Sequence, residues 1–121
     1  MYFSLSDPTV DQIANHIIQA QALNPAWHKL HRGTDSDFES DVNRYFRESN
    51  RNDALAGYGP APSGQSWDEY PFASTLEGLD PNRSIQPVPL VQNSEQGTRI
   101  SKFYRETNRK VGDCFYVEVM P

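Results

Sequence analysis

Asp68 and Glu69 are adjacent carboxylates set against an aromatic-proline-aromatic run, Tyr70, Pro71 and Phe72. The run follows a loop rich in glycine and proline between Gly57 and Gly64. Asp and Glu are poor strand formers, so a strand that opens with both implies a use for them. Carboxylates can take a proton in general base chemistry, or hold a hard cation through oxygen. They can equally open a strand and repel edge pairing, and residue types alone leave both readings open. A second block lies downstream: Val88 to Asn93, then Gly97, the pair Phe103-Tyr104, and Gly112 to Val117.

These residues need elements to hold them. Asp7-Pro8 reads as an N-cap followed by proline at the first helical position. Val10, Ile13, Ile17 and Ala20 recur at helical spacing, which predicts a helix over 8–23, broken at Asn24-Pro25. A short helix over 25–32, with Ala26, Trp27 and Leu30, is expected to end at Gly33. Ser36 with Glu39 is a capping box, and Phe38, Val42, Tyr45 and Phe46 form one stripe, so a third helix is expected over 37–49. Residues 50–66 read as loop. A strand over 69–74, turn chemistry at 79–83 and a returning strand over 85–90 make a hairpin, with Pro87 and Pro89 pointing to irregular or edge pairing. A helix from Gln92-Asn93-Ser94 to Asn108 follows, with Ile100, Phe103 and Tyr104 inward. A final strand over 114–120 alternates Phe115, Val117 and Val119. The expected fold class is α+β: a helical part, 1–50, packed on a small antiparallel sheet within one domain of 1–121.

The chain has 121 residues, 36% of them hydrophobic, and its mean hydropathy is -0.73. One modest core and a polar surface follow. No apolar run approaches the roughly 20 residues of a membrane span. The single Cys114 excludes an internal disulfide and a multi-cysteine zinc site, and its apolar strand run predicts a packed small hydrophobe. The net charge of -5 opposes non-specific DNA binding. Its distribution opposes that conclusion in part: Arg99, Lys102, Arg105, Arg109 and Lys110 share one stretch with only Glu106 against them, whereas the acids are spread, apart from a cluster at Asp35, Asp37, Glu39 and Asp41. That stretch reads either as an electrostatic footprint or as a solvated helix face. His28 and His31, beside Asp35 and Asp37, offer two imidazoles and read as a solvated helix end. Ser74 with the distant His16 gives no evidence of a hydrolase triad.

The block from Asp68 to Thr75, with the blocks at 88–93 and 112–117 in the same order and spacing, resembles the NucA/NucB family of non-specific, metal-dependent bacterial endonucleases. The resemblance spans residues 58–119 and implies a catalytic part with the hairpin-then-helix frame of a ββα-metal nuclease. No histidine lies beyond position 31, so the resemblance implies Asp68 as general base, with Glu69 as its orienting partner or a metal-side ligand, two roles open to exchange. It implies Asn93 as metal ligand, a role compatible with N-capping, and Gln92 as a second, although many relatives carry an acid there. Glu77, in an acid-glycine step with Gly78, is expected as an outer ligand, and Arg99 as a grip on a phosphate oxygen. On charge, Lys102, Arg105, Arg109 and Lys110 are expected as further nucleic-acid contacts. A hard, oxygen-only site of few protein ligands suits Mg²⁺ or Mn²⁺. Gly97 within a helix implies close approach by DNA or by a strand, while Trp67 and Tyr70 read as core rather than as base-stacking residues.

The expected partners are DNA or RNA and a cognate immunity protein, with the enzyme a monomer. Relatives of this type are exported, yet Met1 to Asp7 shows no basic n-region and no apolar h-region. The expectation is a domain of a longer secreted protein, the effector of an antibacterial toxin delivered into a target cell. The alternatives are a nutritional or biofilm-degrading secreted nuclease, an inactive nucleic-acid or protein binding module, and a structural interaction domain using the acidic cluster.

Overall fold

A computed structural model describes residues 1–33, 51–52 and 55–121. The helix expected over 37–49 and the acidic cluster at 35–41 lie outside the described residues. Strand β1 (Tyr2–Ser4) leads into helix α1 (Asp11–Leu23), a 3-10 turn (Pro25–His28) and β2 (Lys29–His31). Strands β3 (Gln65–Tyr70) and β4 (Ser84–Pro89) flank a second 3-10 turn (Leu76–Leu79). Helix α2 (Leu90–Glu106) starts directly after β4, and β5 (Cys114–Tyr116) and β6 (Glu118–Met120) close the chain. The fold is α+β, with three two-stranded sheets among the described residues: β3–β4 and β2–β5 antiparallel, β1–β6 parallel.

Helix α1 forms where the apolar repeat predicts, and Ile13, Ala14, Ile17 and Ala20 are buried on one face. Burying an Ile side chain is worth about 1.5–3 kcal/mol, so this stripe anchors α1 to the rest of the core. The helix begins at Asp11 rather than residue 8. The Asp7 carboxylate accepts from the N–H and hydroxyl of Thr9, forming a local turn, and so does not cap the helix. The helix expected over 25–32 is a 3-10 turn followed by β2, because Leu30 pairs with Phe115 and both are buried. A partner 85 positions away is invisible to local pattern.

The hairpin strand runs over 65–70, not 69–74, so the acids lie inside it. Pro71, joined to Tyr70 by a cis peptide bond, has no N–H for the ladder. The last strand divides at Val117, β5 pairing with β2 and β6 with β1. Cys114 is exposed, contrary to its expected packing: it lies opposite His31 at the end of a three-residue strand. Tyr70 is core as expected, its hydroxyl donating to the Trp27 carbonyl at 2.6 Å. Trp67 is only half-buried, edge-on to Tyr58 with its Nε1–H on the Gly59 carbonyl.

Helix α2 starts and stops two residues earlier than its pattern implies, and Asn108, at φ 51°, takes the left-handed conformation just beyond it. Its inward side carries Ile100 and Tyr104, buried, and Phe103, partly buried. The Tyr104 hydroxyl meets Ser74 Oγ at 2.8 Å, tying α2 to the turn after β3. Burial pushes the Tyr104 phenol up to about 12. Gly78 is required where it stands, since a Cβ there would run into the Phe72 carbonyl.

Candidate active site

The β3–β4 ladder pairs Asp68 with Gln86 and Glu69 with Ile85 without interruption. Successive strand residues point to opposite faces, so one site could take both acids only where walls meet both faces. Both acids line one cavity of about 250 Å³. Asp68 and Glu69 line it from β3, Asn93, Gln96, Gly97 and Ile100 from α2, Phe72 to Ser74 from the following turn, and Arg51 from the preceding segment.

Hydrogen bonds lock α2 to the hairpin at this cavity. Asn93 Nδ2 donates to Ser66 Oγ at 2.9 Å and to the Trp67 carbonyl at 3.0 Å. Asn93 Oδ1 accepts from Gln96 Nε2 at 3.1 Å, and the same Nε2 donates to Asp68 Oδ1 at 2.7 Å. Asn93 and Gln96 meet because residues three apart share a helix face. Asn93 lies inside the first turn of α2 and is not its N-cap, which is Pro89.

Asp68 is 2% exposed, and its Oδ2 lies 2.6 Å from His16 Nδ1 on α1. Glu69 is paired with Arg51, whose Nη1 donates to both carboxylate oxygens at 3.1 and 2.8 Å. Burial pushes the Glu69 carboxyl above its ordinary value; the Arg51 charge opposes this and the neighbouring Asp68 adds to it. Among the described residues, Arg51 is the only cation on the cavity wall.

The other expected site residues lie elsewhere. Gln92 Oε1 accepts the backbone N–H groups of Gln12 and Ile13, while its Nε2 donates to Asp11 Oδ1 at 2.7 Å. It does not line the cavity. Glu77 accepts from the backbone N–H and ring Nδ1 of His31, which joins that histidine to the second 3-10 turn. Arg99 bonds Glu95, Asp7 and Thr9. The Thr9 hydroxyl, then Arg99, hold the Asp7 carboxyl down at about 2. Lys102 faces Glu106 at 3.9 Å, Arg105 donates to Ser101, and the Arg109 guanidinium lies 5.7 Å from the Phe103 ring centre. Neither these three, Lys110, Glu77 nor Arg99 lines the cavity. Gly97 has no described atom within 4 Å of where a Cβ would stand, so no described strand approaches it there, and it lines the cavity.

Of three further residues at or behind the cavity, Arg51 and Gln96 are not singled out in the sequence, and His16 enters there only beside Ser74, with no role assigned. A signal existed for two of them. His16 falls on the buried stripe of α1, three positions after Ile13, and a buried imidazole needs partners. Gln96 falls three positions after Asn93.

The cavity wall offers oxygen donors suited to a hard cation: the Asp68 and Glu69 carboxylates and the amide oxygens of Asn93 and Gln96. Among the described residues Gln96 Oε1 is buried and meets no hydrogen-bond partner, an arrangement that costs free energy unless something else meets it. Among the described residues no three His, Cys, Asp or Glu side chains form a metal-ligand cluster. The oxygen-bearing side chains on the wall suit a hard ion that keeps several of its waters, as Mg²⁺ does.

The family model of deoxyribonuclease NucA/NucB matches residues 21–118. No curated protein matches the chain. The matched span holds β3, β4 and α2 entire, and it leaves β1 and most of α1, His16 included, outside.

Proposed function

Because the chain belongs to the NucA/NucB deoxyribonuclease family, we propose that it is an endonuclease that hydrolyses DNA at the cavity between the β3–β4 hairpin and α2. The observation that carries this reading is the convergence of Asp68, Glu69, Asn93 and Gln96 on one cavity wall. Asp68 is the general base. Each of its oxygens already accepts one hydrogen bond and keeps a lone pair that can take the proton of an attacking water. Glu69, Asn93 Oδ1 and Gln96 Oε1 would hold Mg²⁺ or Mn²⁺. Such an ion, when bound, neutralises charge on the scissile phosphate and the leaving oxygen.

Arg51 screens Glu69 and brings a guanidinium to the wall, where it can hold a phosphate oxygen. That role suits Arg51 better than Arg99, because Arg51 lines the cavity and Arg99 does not. Arg99, Lys102, Arg105, Arg109 and Lys110 would act farther out along the DNA backbone. Gln92 holds α1 in place of binding a cation, and Glu77 braces the His31 strand.

A plasmid-nicking assay with Mg²⁺, Mn²⁺ or EDTA tests the reading. Cutting with either ion and none in EDTA is expected. Asp68→Ala and Asn93→Ala should abolish cutting while leaving the fold intact, and full activity in both would overturn the site. We further propose that the domain is delivered into a target cell as a toxin countered by an immunity protein. Its charge pattern, a basic segment on an otherwise acidic surface, supports this by offering such a partner a defined face. Cytoplasmic expression should then arrest growth with loss of DNA, and normal growth of cells containing active enzyme would count against it.

A further inference from the structure

His16 is wholly buried on α1, among the apolar residues that anchor that helix. An imidazole in such a place costs free energy unless both nitrogens are met. Both are: Nδ1 lies 2.6 Å from Asp68 Oδ2 and Nε2 lies 2.9 Å from Ser84 Oγ. An ionised carboxylate can only accept, so Nδ1 carries the hydrogen and donates it. Ser84 stands on β4 at the position paired with Tyr70, close by the acids of β3.

His16 does not line the cavity, whereas Asp68 does. The imidazole therefore stands behind the carboxylate and has no access to a water in the cavity. Asp68 is gripped from two helices, by His16 of α1 at Oδ2 and by Gln96 of α2 at Oδ1. Two fixed hydrogen bonds on opposite oxygens set both the position and the plane of the carboxyl group. A base misplaced by about 1 Å can lose 10²-fold in rate, so such a clamp matters to turnover.

We propose that His16 is a positioning residue for Asp68: its Nδ1–H holds the carboxylate against the cavity, and Ser84 holds the imidazole. The inference rests on the reading of Asp68 as general base. It adds that α1, most of which precedes the family-matched span, completes the active site.

The test is steady-state cleavage of a labelled DNA duplex with saturating Mg²⁺ or Mn²⁺, with thermal melts to check folding. His16→Gln keeps a group near the Nε2 position and removes the donor to Asp68. His16→Asn keeps a donor near the Nδ1 position and removes the hydrogen bond to Ser84. Positioning predicts that His16→Gln lowers kcat about 10- to 100-fold at nearly unchanged KM, and that His16→Asn recovers much of that loss. A purely packing role predicts equal loss in the two variants; that result, an unchanged kcat in His16→Gln, or a change confined to KM would overturn the proposal. Should His16→Gln fail to fold, Ser84→Ala decides: kcat should fall about threefold or more at unchanged KM, and an unchanged kcat overturns it. Asp68→Asn separates the two levels. If it cuts like the wild type, the general-base reading fails. If it is dead while His16→Gln cuts normally, only the role of His16 fails.

Discussion

Gln92 spans 80 positions to reach Gln12, its side-chain oxygen accepting that residue's backbone N–H at 2.9 Å. The residue beside Asn93 thus caps α1, and its amide has a structural use. A carboxylate there would face Asp11 Oδ1, now bonded to Gln92 Nε2 at 2.7 Å. Gln92→Ala should cost about 1–2 kcal/mol, the worth of a lost cap with the buried Ile13 N–H left unmet. Gln92→Glu should melt lower than wild type at neutral pH, recover on acidification, and show no gain in Mg²⁺- or Mn²⁺-dependent cutting. Thermal melts and the nicking assay check both, and faster cutting by Gln92→Glu would return position 92 to the metal site.

Glu69 makes stability depend on pH in a definite direction. Burial raises its carboxyl above the ordinary value of 4.5, so the folded chain favours the neutral acid. That contribution is fully present below 4.5 and is lost as pH rises through the raised folded value. Glu69→Gln has no proton to lose. In EDTA it should melt above wild type at neutral pH, with the difference closing as the solution is acidified below 4.5, and it should cut poorly once metal is returned. A lower melting point at neutral pH would mean that the attraction of Arg51 outweighs the cost of burial.

Gly97 separates the needs of the fold from those of the reaction. Nothing described stands within 4 Å of a Cβ at this position, and alanine is the better helix former by about 1 kcal/mol. Gly97→Ala should keep or raise the melting temperature. Cutting should fall, because the added methyl enters the cavity wall where DNA must come close. Wild-type kcat/KM in this variant would show that the substrate does not approach this turn of α2.

The basic residues off the cavity should govern salt dependence. Replacing Lys102, Arg105 and Lys110 with alanine should lower kcat/KM at low salt and flatten its dependence on salt, by about 0.9 in log–log slope for each phosphate that the protein no longer neutralises. An unchanged slope would assign this surface to a protein partner.

Much of the frame was legible because its signals are local. The apolar period of α1, the turn chemistry after β3 and the hairpin-then-helix order all lie within short windows, and the structure keeps them with shifted ends. The errors share one cause. Residues 29–31 read as helix because their partner strand is β5, at the far end of the chain. Cys114 read as packed because it lies in an apolar run, which does not tell which of its faces a distant element covers. For Gln92 and Arg99, expected at the site, the structure adds bonds to Gln12 and Asp7 in the N-terminal segment, which no local window shows.

By itself the sequence determined that an acid pair, an amide at the head of a helix and a hairpin would occur together, since spacing along one strand and one helix is a covalent matter. Only the tertiary structure decided that His16 meets Asp68 across 52 positions, that Arg51 faces Glu69, and that Gln96 joins Asn93 to the carboxylate. The reason is physical. Periodicity states that a polar side chain will be buried, but its hydrogen-bond partner is whichever group the packing of helix on hairpin brings within about 3 Å.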